Sequence, residues 1–275
     1  MAHFAMAADA FKDGLRSWRI WLIQFFGNLL LFGLFAGWLL LPVANAWYLV
    51  LNILLAALFL VAVFILHGGT LNYFYSRSHK EGATLGSVFV RALRNLLALA
   101  VSAGAAYLLW MVVGKADAYQ ETLPAYLRSM TPMSLRKHAS LAAFKQSFDA
   151  CLFALRWILV PGLLLPFWGS VSRLGFRGFG REGLAAWKAS LGRISYWGMV
   201  VFSALLGVLA TEKIMESKPD FRTSTFARET LSLISRGLVS YLLGLLAWLL
   251  VCSAAGRASG NDAKAPENLR GQAAA

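Results

Sequence analysis

Residues 47–66 read WYLVLNILLAALFLVAVFIL, and Asn52 is their only strongly polar side chain. As an α-helix rising about 1.5 Å per residue, such a run is about as long as a bilayer's hydrocarbon core is thick, roughly 30 Å. A second apolar run, Ile20 to Leu41, comes just before it. The link between them, Pro42 to Trp47, is PVANAW and carries no charge. Every peptide group placed in lipid needs an internal hydrogen-bond partner, so the pair is predicted to be a tight helical hairpin across a membrane.

Four further blocks extend the pattern: 96–114, 150–171, 194–210 and 231–254. The fifth is short, and the fourth contains Arg156, Pro161 and Pro166. The predicted fold class is therefore all-α, a polytopic transmembrane helical bundle of about six spans in one domain over 1–255. Composition agrees: 59% of the 275 residues are hydrophobic and 14% charged, the latter well below the share of about 25% in soluble domains. Residues 256–275 are rich in Ala, Gly, Asn and charge, and read as a disordered tail.

The net charge of +13 does not point to nucleic acid, because the basic residues flank apolar blocks and form no aromatic-and-basic stripe. They read as topogenic charge. Placing both termini in the cytoplasm puts 15 of the 26 Lys and Arg inside. Trp18, Trp21, Trp47, Trp168 and Trp197 fall at span ends, where interfacial aromatics belong. The first apolar block is too long for a secretory h-region and is expected to remain as a span. Cys151 and Cys252 lie in apolar surroundings and suggest neither a disulfide framework nor a metal knuckle.

A basic amphipathic stretch precedes each odd-numbered span. AFKDGLRSW sets Phe11 and Leu15 four apart beside Lys12, Arg16 and Arg19. LGSVFVRALRN aligns Leu85, Phe89 and Leu93 away from Arg91 and Arg94, and GLAAWKASLGRI aligns Leu184, Trp187 and Leu191 away from Lys188 and Arg193. This spacing describes helices lying in the headgroup plane. The candidate lipid-binding residues are Phe11, Arg16, Phe89, Arg94, Trp187 and Arg193, with anionic headgroups as partner. Lys80-Glu81-Gly82 and Arg181-Glu182-Gly183 precede two of the stretches. Interfacial helix plus two-span hairpin, three times over, is the plan; internal duplication and three separate solutions to anchoring both fit it.

The short N-terminal amphipathic helix, the tight first hairpin and segments such as EGLAAWKASLGRISYW carry a resemblance over most of residues 4–255. The chain resembles bacterial six-span membrane protein families of unknown function, including those similar to the membrane domain attached to some glycerophosphodiester phosphodiesterases. The resemblance implies a bacterial inner-membrane location and brings no catalytic residues. The sequence contains no soluble phosphodiesterase domain, so that activity is not carried over.

Within the spans, Arg156 either snorkels or pairs at the interface, or lines a polar cavity or contacts a lipid phosphate. Pro161 and Pro166 should kink or break the fourth span, as in transporter helices that line substrate sites. Gln24 and Asn28, four apart, and Asn52 suit interhelical hydrogen bonding. Gly33 and Gly37, Ala98, Ser102 and Ala106, Ser203 and Gly207, and Ser240 and Gly244 form small-residue faces for packing inside the bundle or against a second copy. In the loop between the third and fourth spans, Leu141, Phe144 and Phe148 at i, i+3 and i+7 suggest a helix on the membrane surface. No HExxH, GxSxG, Walker or dinucleotide pattern occurs, and the cores contain no Asp or Glu. No cofactor, metal or enzymatic activity is expected. The leading expectation is a non-enzymatic protein that organises lipid or envelope or partners a membrane complex; the alternative is a small-solute transporter or permease subunit using the kinked fourth span.

Overall fold

A computed structural model describes residues 2–42, 45–136, 140–217 and 226–259. Lys137, His138 and the stretch containing Lys218, Pro219 and Arg222 lie outside the described residues. The chain is an all-α polytopic bundle, with no strand among the described residues. Its helices are α1 (Ala2–Arg16), α2 (Trp18–Leu40), α3 (Ala46–Ser78), α4 (Leu85–Arg94), α5 (Leu96–Gly114), α6 (Thr122–Met130), α7 (Met133–Arg136), α8 (Leu141–Phe153), α9 (Val160–Leu174), α10 (Arg181–Leu191), α11 (Ile194–Ala204), α12 (Thr211–Glu216) and α13 (Phe226–Ala258).

Among the described residues, six helical stretches are long and apolar enough to cross a membrane: Trp18–Leu40, Ala46–Ser78, Leu96–Tyr119, Leu141–Phe179, Ile194–Glu216 and Phe226–Ala258. Five of them contain an expected block and the first stops one residue short of its block's end at Leu41; most run past the expected ends. The apolar count sees only the residues that need lipid, whereas a helix continues wherever packing supports it. Gly256 is packed on the Phe74 backbone, Arg257 is ion-paired and Ala258 is buried. These three residues, expected in the tail, therefore belong to the last helix; residues 260–275 lie outside the described residues.

Leu141, Phe144 and Phe148 lie on a helix as expected, α8, which runs on into the fourth span. They start the fourth helical stretch and are half-buried, with α8 packed on α6. The two prolines do not break that stretch. A π-helical segment, Ala154–Leu159, precedes Pro161 and widens the turn whose carbonyl the proline ring would strike. Pro166 is accommodated inside α9.

The three expected units are visible in the packing. The second span of each unit, α3, α9 or α13, touches the other two, giving a central triad. Their hairpin partners α2, α5 and α11 lie outside, and each also touches the preceding unit's inner helix. The short helices follow the same cycle: α4 docks on α3, α10 on α9 and α1 on α13, closing the ring between the two ends of the chain. Ser253 donates its hydroxyl to the Ala10 carbonyl at 2.9 Å, and Arg257 Nε reaches Asp13 Oδ2 at 3.0 Å. Arg77 approaches the other oxygen of Asp13 at 3.4 Å. The N-terminal helix and the end of the last span thus share one side, called here the terminal side.

The matching tripeptides do not occupy matching places. A Cβ on Gly183 would come 1.7 Å from the Gly178 carbonyl oxygen, whereas one on Gly82 would meet nothing within 4 Å. Glu182 lies in the first turn of α10, but α4 begins only after Thr84, whose hydroxyl accepts from the Ser87 N–H at 3.3 Å.

Candidate functional site: an intramembrane cavity with unpaired donors

A cavity of about 530 Å³ lies between α5, α9, α11 and α13. Its floor includes Val160, Leu165, Val200, Ser203 and Ala204, all buried; Tyr107, Trp110 and Trp157, at its rim, are exposed. The Trp110 and Trp157 rings meet edge to face, with centroids 5.5 Å apart. No charged residue lines it.

Two π-helical segments shape the wall. Trp157 belongs to the one ahead of Pro161, and Gly207 and Val208 belong to a second, Leu205–Ala210, between α11 and α12. The sequence carries no proline signal for the second. Thr211 supports it from the next turn, donating its hydroxyl to the Gly207 and Val208 carbonyls, each at 2.8 Å.

Towards the terminal side a chamber of about 330 Å³ is lined by Val63, Phe64, His67, Gly68, Leu71, Leu99, Trp168 and Trp248. Trp168 and Trp248 also line the larger cavity, so the two chambers share a wall. His67 meets Trp248 edge to face, with centroids 5.0 Å apart. His67 Nδ1, Trp168 Nε1 and Trp248 Nε1 are buried and have no hydrogen-bond partner, and the same is true of Ser203 Oγ. Each of the first three comes from a different helix of the triad. A third recess, about 560 Å³, lies between α9 and α10 and has Arg181 as its charged member.

The expected site residues fall elsewhere. Arg156 forms an ion pair with Asp117 at the far end of α5 and lines neither chamber. Pro161 lines the larger chamber, and Pro166 is buried in α9. Gln24 is fully buried and donates to Thr70 Oγ1 at 2.5 Å and to the Leu66 carbonyl at 3.3 Å. Gln24 thus joins α2 to α3 as expected, whereas Asn28 donates to Gln24 Oε1 at 2.9 Å within α2 and crosses to no other helix itself. Asn52 does not join helices: it donates to Tyr48 of its own helix at 2.9 Å. Of the small-residue faces, Ser203 and Gly207 pack in the bundle, but Gly33 and Gly37 have no neighbour within 4 Å of a would-be Cβ.

On the short helices, Phe11 is exposed, as are Arg16 and Arg94. Phe89 and Trp187, expected to face headgroups, are half-buried against the bundle. The Phe89 ring occupies the space a side chain at Gly69 would need, and Trp187 Nε1 donates to the Leu163 carbonyl at 2.8 Å. Arg193 donates to the Arg257 carbonyl at 3.2 Å. Beside Phe11, the large apolar residues exposed on these helices are Leu15, Val90, Leu93 and Leu184.

No family model, curated protein or solved structure matches the chain. Sequence reasoning missed His67, Trp168 and Trp248 as a group, because aromatic residues in apolar blocks look like ordinary span residues until their helices are assembled.

Proposed function

We propose that this chain is a non-enzymatic membrane protein that binds and organises lipid, with its terminal side facing the cytoplasm of a bacterial inner membrane. The observation that carries this reading is the pairing of exposed cations with exposed apolar side chains on the docked short helices. Lys12 and Arg16 accompany Phe11 and Leu15, Arg94 accompanies Leu93, and Lys188 accompanies Leu184. Anionic headgroups suit the cations while acyl chains cover the leucines. Arg181, beside the recess between α9 and α10, adds a cation next to an apolar groove. The resemblance to bacterial six-span families fits the same location.

The small-solute alternative needs a polar path along the fourth span. The chambers beside that span are apolar, and Arg156 is paired outside them. This arrangement favours lipid over a polar solute. A membrane partner or a second copy fits the open face of Gly33 and Gly37.

The test is lipid analysis of protein purified from native membranes, alongside a variant with Lys12, Arg16, Arg94 and Lys188 changed to Gln. The wild type should carry anionic phospholipid in excess of the bulk membrane, and the variant should lose that excess. Equal enrichment in both, or solute flux through reconstituted wild type that Arg156→Gln abolishes, overturns the proposal.

A further inference from the structure

The ten tryptophans separate into groups by the fate of the indole N–H. Trp21, Trp187 and Trp197 donate to the carbonyls of Gly14, Leu163 and Leu191 at 2.9, 2.8 and 3.0 Å. Trp168 and Trp248 bury the same group without an acceptor, and they share one chamber wall with the unpaired His67 Nδ1. An indole nitrogen can only donate. Burying it unpaired carries a desolvation penalty, which an acceptor placed in the chamber relieves.

We infer that the two chambers bind one uncharged lipid bearing a carbonyl group, with the carbonyl accepting from Trp168 and Trp248 and the hydrocarbon lying in the larger chamber. The inference rests on the lipid reading above and assigns it a second, internal site. Neutrality follows from the linings: neither chamber has a charged side chain to pair with a phosphate or carboxylate, and burying an unpaired anion is costly. Size agrees, since both volumes fall in the range of small-molecule sites, about 300 to 1,000 Å³. Along α5, the lining runs from Leu99 to Trp110, a rise of roughly 16 Å, close to one leaflet of hydrocarbon. The exposed rim of Tyr107, Trp110 and Trp157 lets a lipid enter sideways from the bilayer. Ester carbonyls of a diacylglycerol and ring carbonyls of a prenylated quinone offer the same acceptor chemistry.

The full chain in phosphatidylcholine nanodiscs is titrated separately with dioleoylglycerol and with a short-chain prenylquinone, and bound lipid is counted by native mass spectrometry. One equivalent should bind saturably. Trp168→Phe and Trp248→Phe, which keep a ring but lose the donor, should each weaken binding about five- to tenfold, the loss of one hydrogen bond. Trp18→Phe, outside both chambers, should change nothing. Ala204→Phe, which fills the larger chamber from its floor, should abolish binding while the protein remains monodisperse. Binding of the glycerolipid alone identifies an ester site, binding of the quinone alone a ring-carbonyl site, and binding of both a site that reads the carbonyl itself. Binding of neither, wild-type affinity in both Trp variants, or equal competition by squalene, which has no carbonyl, overturns the inference. Anionic phospholipid is measured in the same preparation, so a chain that holds it without any neutral lipid refutes the chamber site and leaves the surface proposal standing.

Discussion

Tyr196 donates its hydroxyl hydrogen to the Gly162 carbonyl at 2.8 Å, and that carbonyl is the one that Pro166 leaves without its helical partner. A proline removes the N–H that would return to the residue four places earlier. In hydrocarbon no water can replace it, so a tyrosine from the next unit does. Tyr196 is fully buried, so the bond is shielded from competition.

Tyr196→Phe should therefore destabilise the bundle by about 1–3 kcal/mol, read as earlier thermal unfolding in detergent. Pro166→Ala restores the missing donor, and in that background the tyrosine substitution should cost clearly less. Equal losses in both backgrounds would show that Tyr196 acts by packing alone.

Asp13 and Arg257 join the two ends of the chain. Arg257→Met should lower stability by about 1–3 kcal/mol, as expected for a partly buried hydrogen bond between charged groups. It should also expose the Phe11-to-Ser17 segment to protease. The exchange Asp13→Arg with Arg257→Asp should recover part of the loss, although Arg77, the second cation at Asp13, will oppose the new arginine.

Gly183→Ala should cost about 1–3 kcal/mol, because its methyl group collides with the Gly178 carbonyl. Gly82→Ala, at the matching tripeptide, should stay within about 0.5 kcal/mol. Melting curves of the two variants check this contrast, and an equal effect would restore equivalence to the tripeptides.

Gln24→Leu should weaken the first hairpin by about 0.6–2 kcal/mol through the loss of Thr70 and Asn28 as partners. Asn52→Leu should be nearly neutral, since Asn52 bonds only within its own helix. Unfolding of both variants in the same detergent reads the difference.

Arg156→Gln should cost about 1 kcal/mol or less, the usual range for a partly exposed ion pair, and leave lipid binding intact. Measured stability and bound lipid in one preparation test both halves.

The legible part of the fold was the part governed by local length and hydropathy. Residues 47–66 demand a spanning helix whatever their neighbours, and the basic lead-ins before the odd spans follow from the same periodicity. Gln24 was legible as interhelical glue because a buried amide in lipid needs a partner. Asn52 carries the same chemistry, but its position turns it back on its own helix. Phe89 and Trp187 have the spacing of lipid-facing residues, yet Gly69 and the Leu163 carbonyl offered them closer partners.

The sequence by itself determined the membrane environment, the six apolar stretches and the threefold repetition of short helix and hairpin, since each is set by a contiguous run of side chains against a bilayer of given thickness. Only the tertiary structure decided that the repeats close into a ring, that Tyr196 satisfies the carbonyl freed by Pro166, and that Trp168 and Trp248 bring unpaired donors to one wall. Those relationships depend on which helices meet and at what rotation. Packing distant segments sets both, and hydropathy along the chain is blind to them.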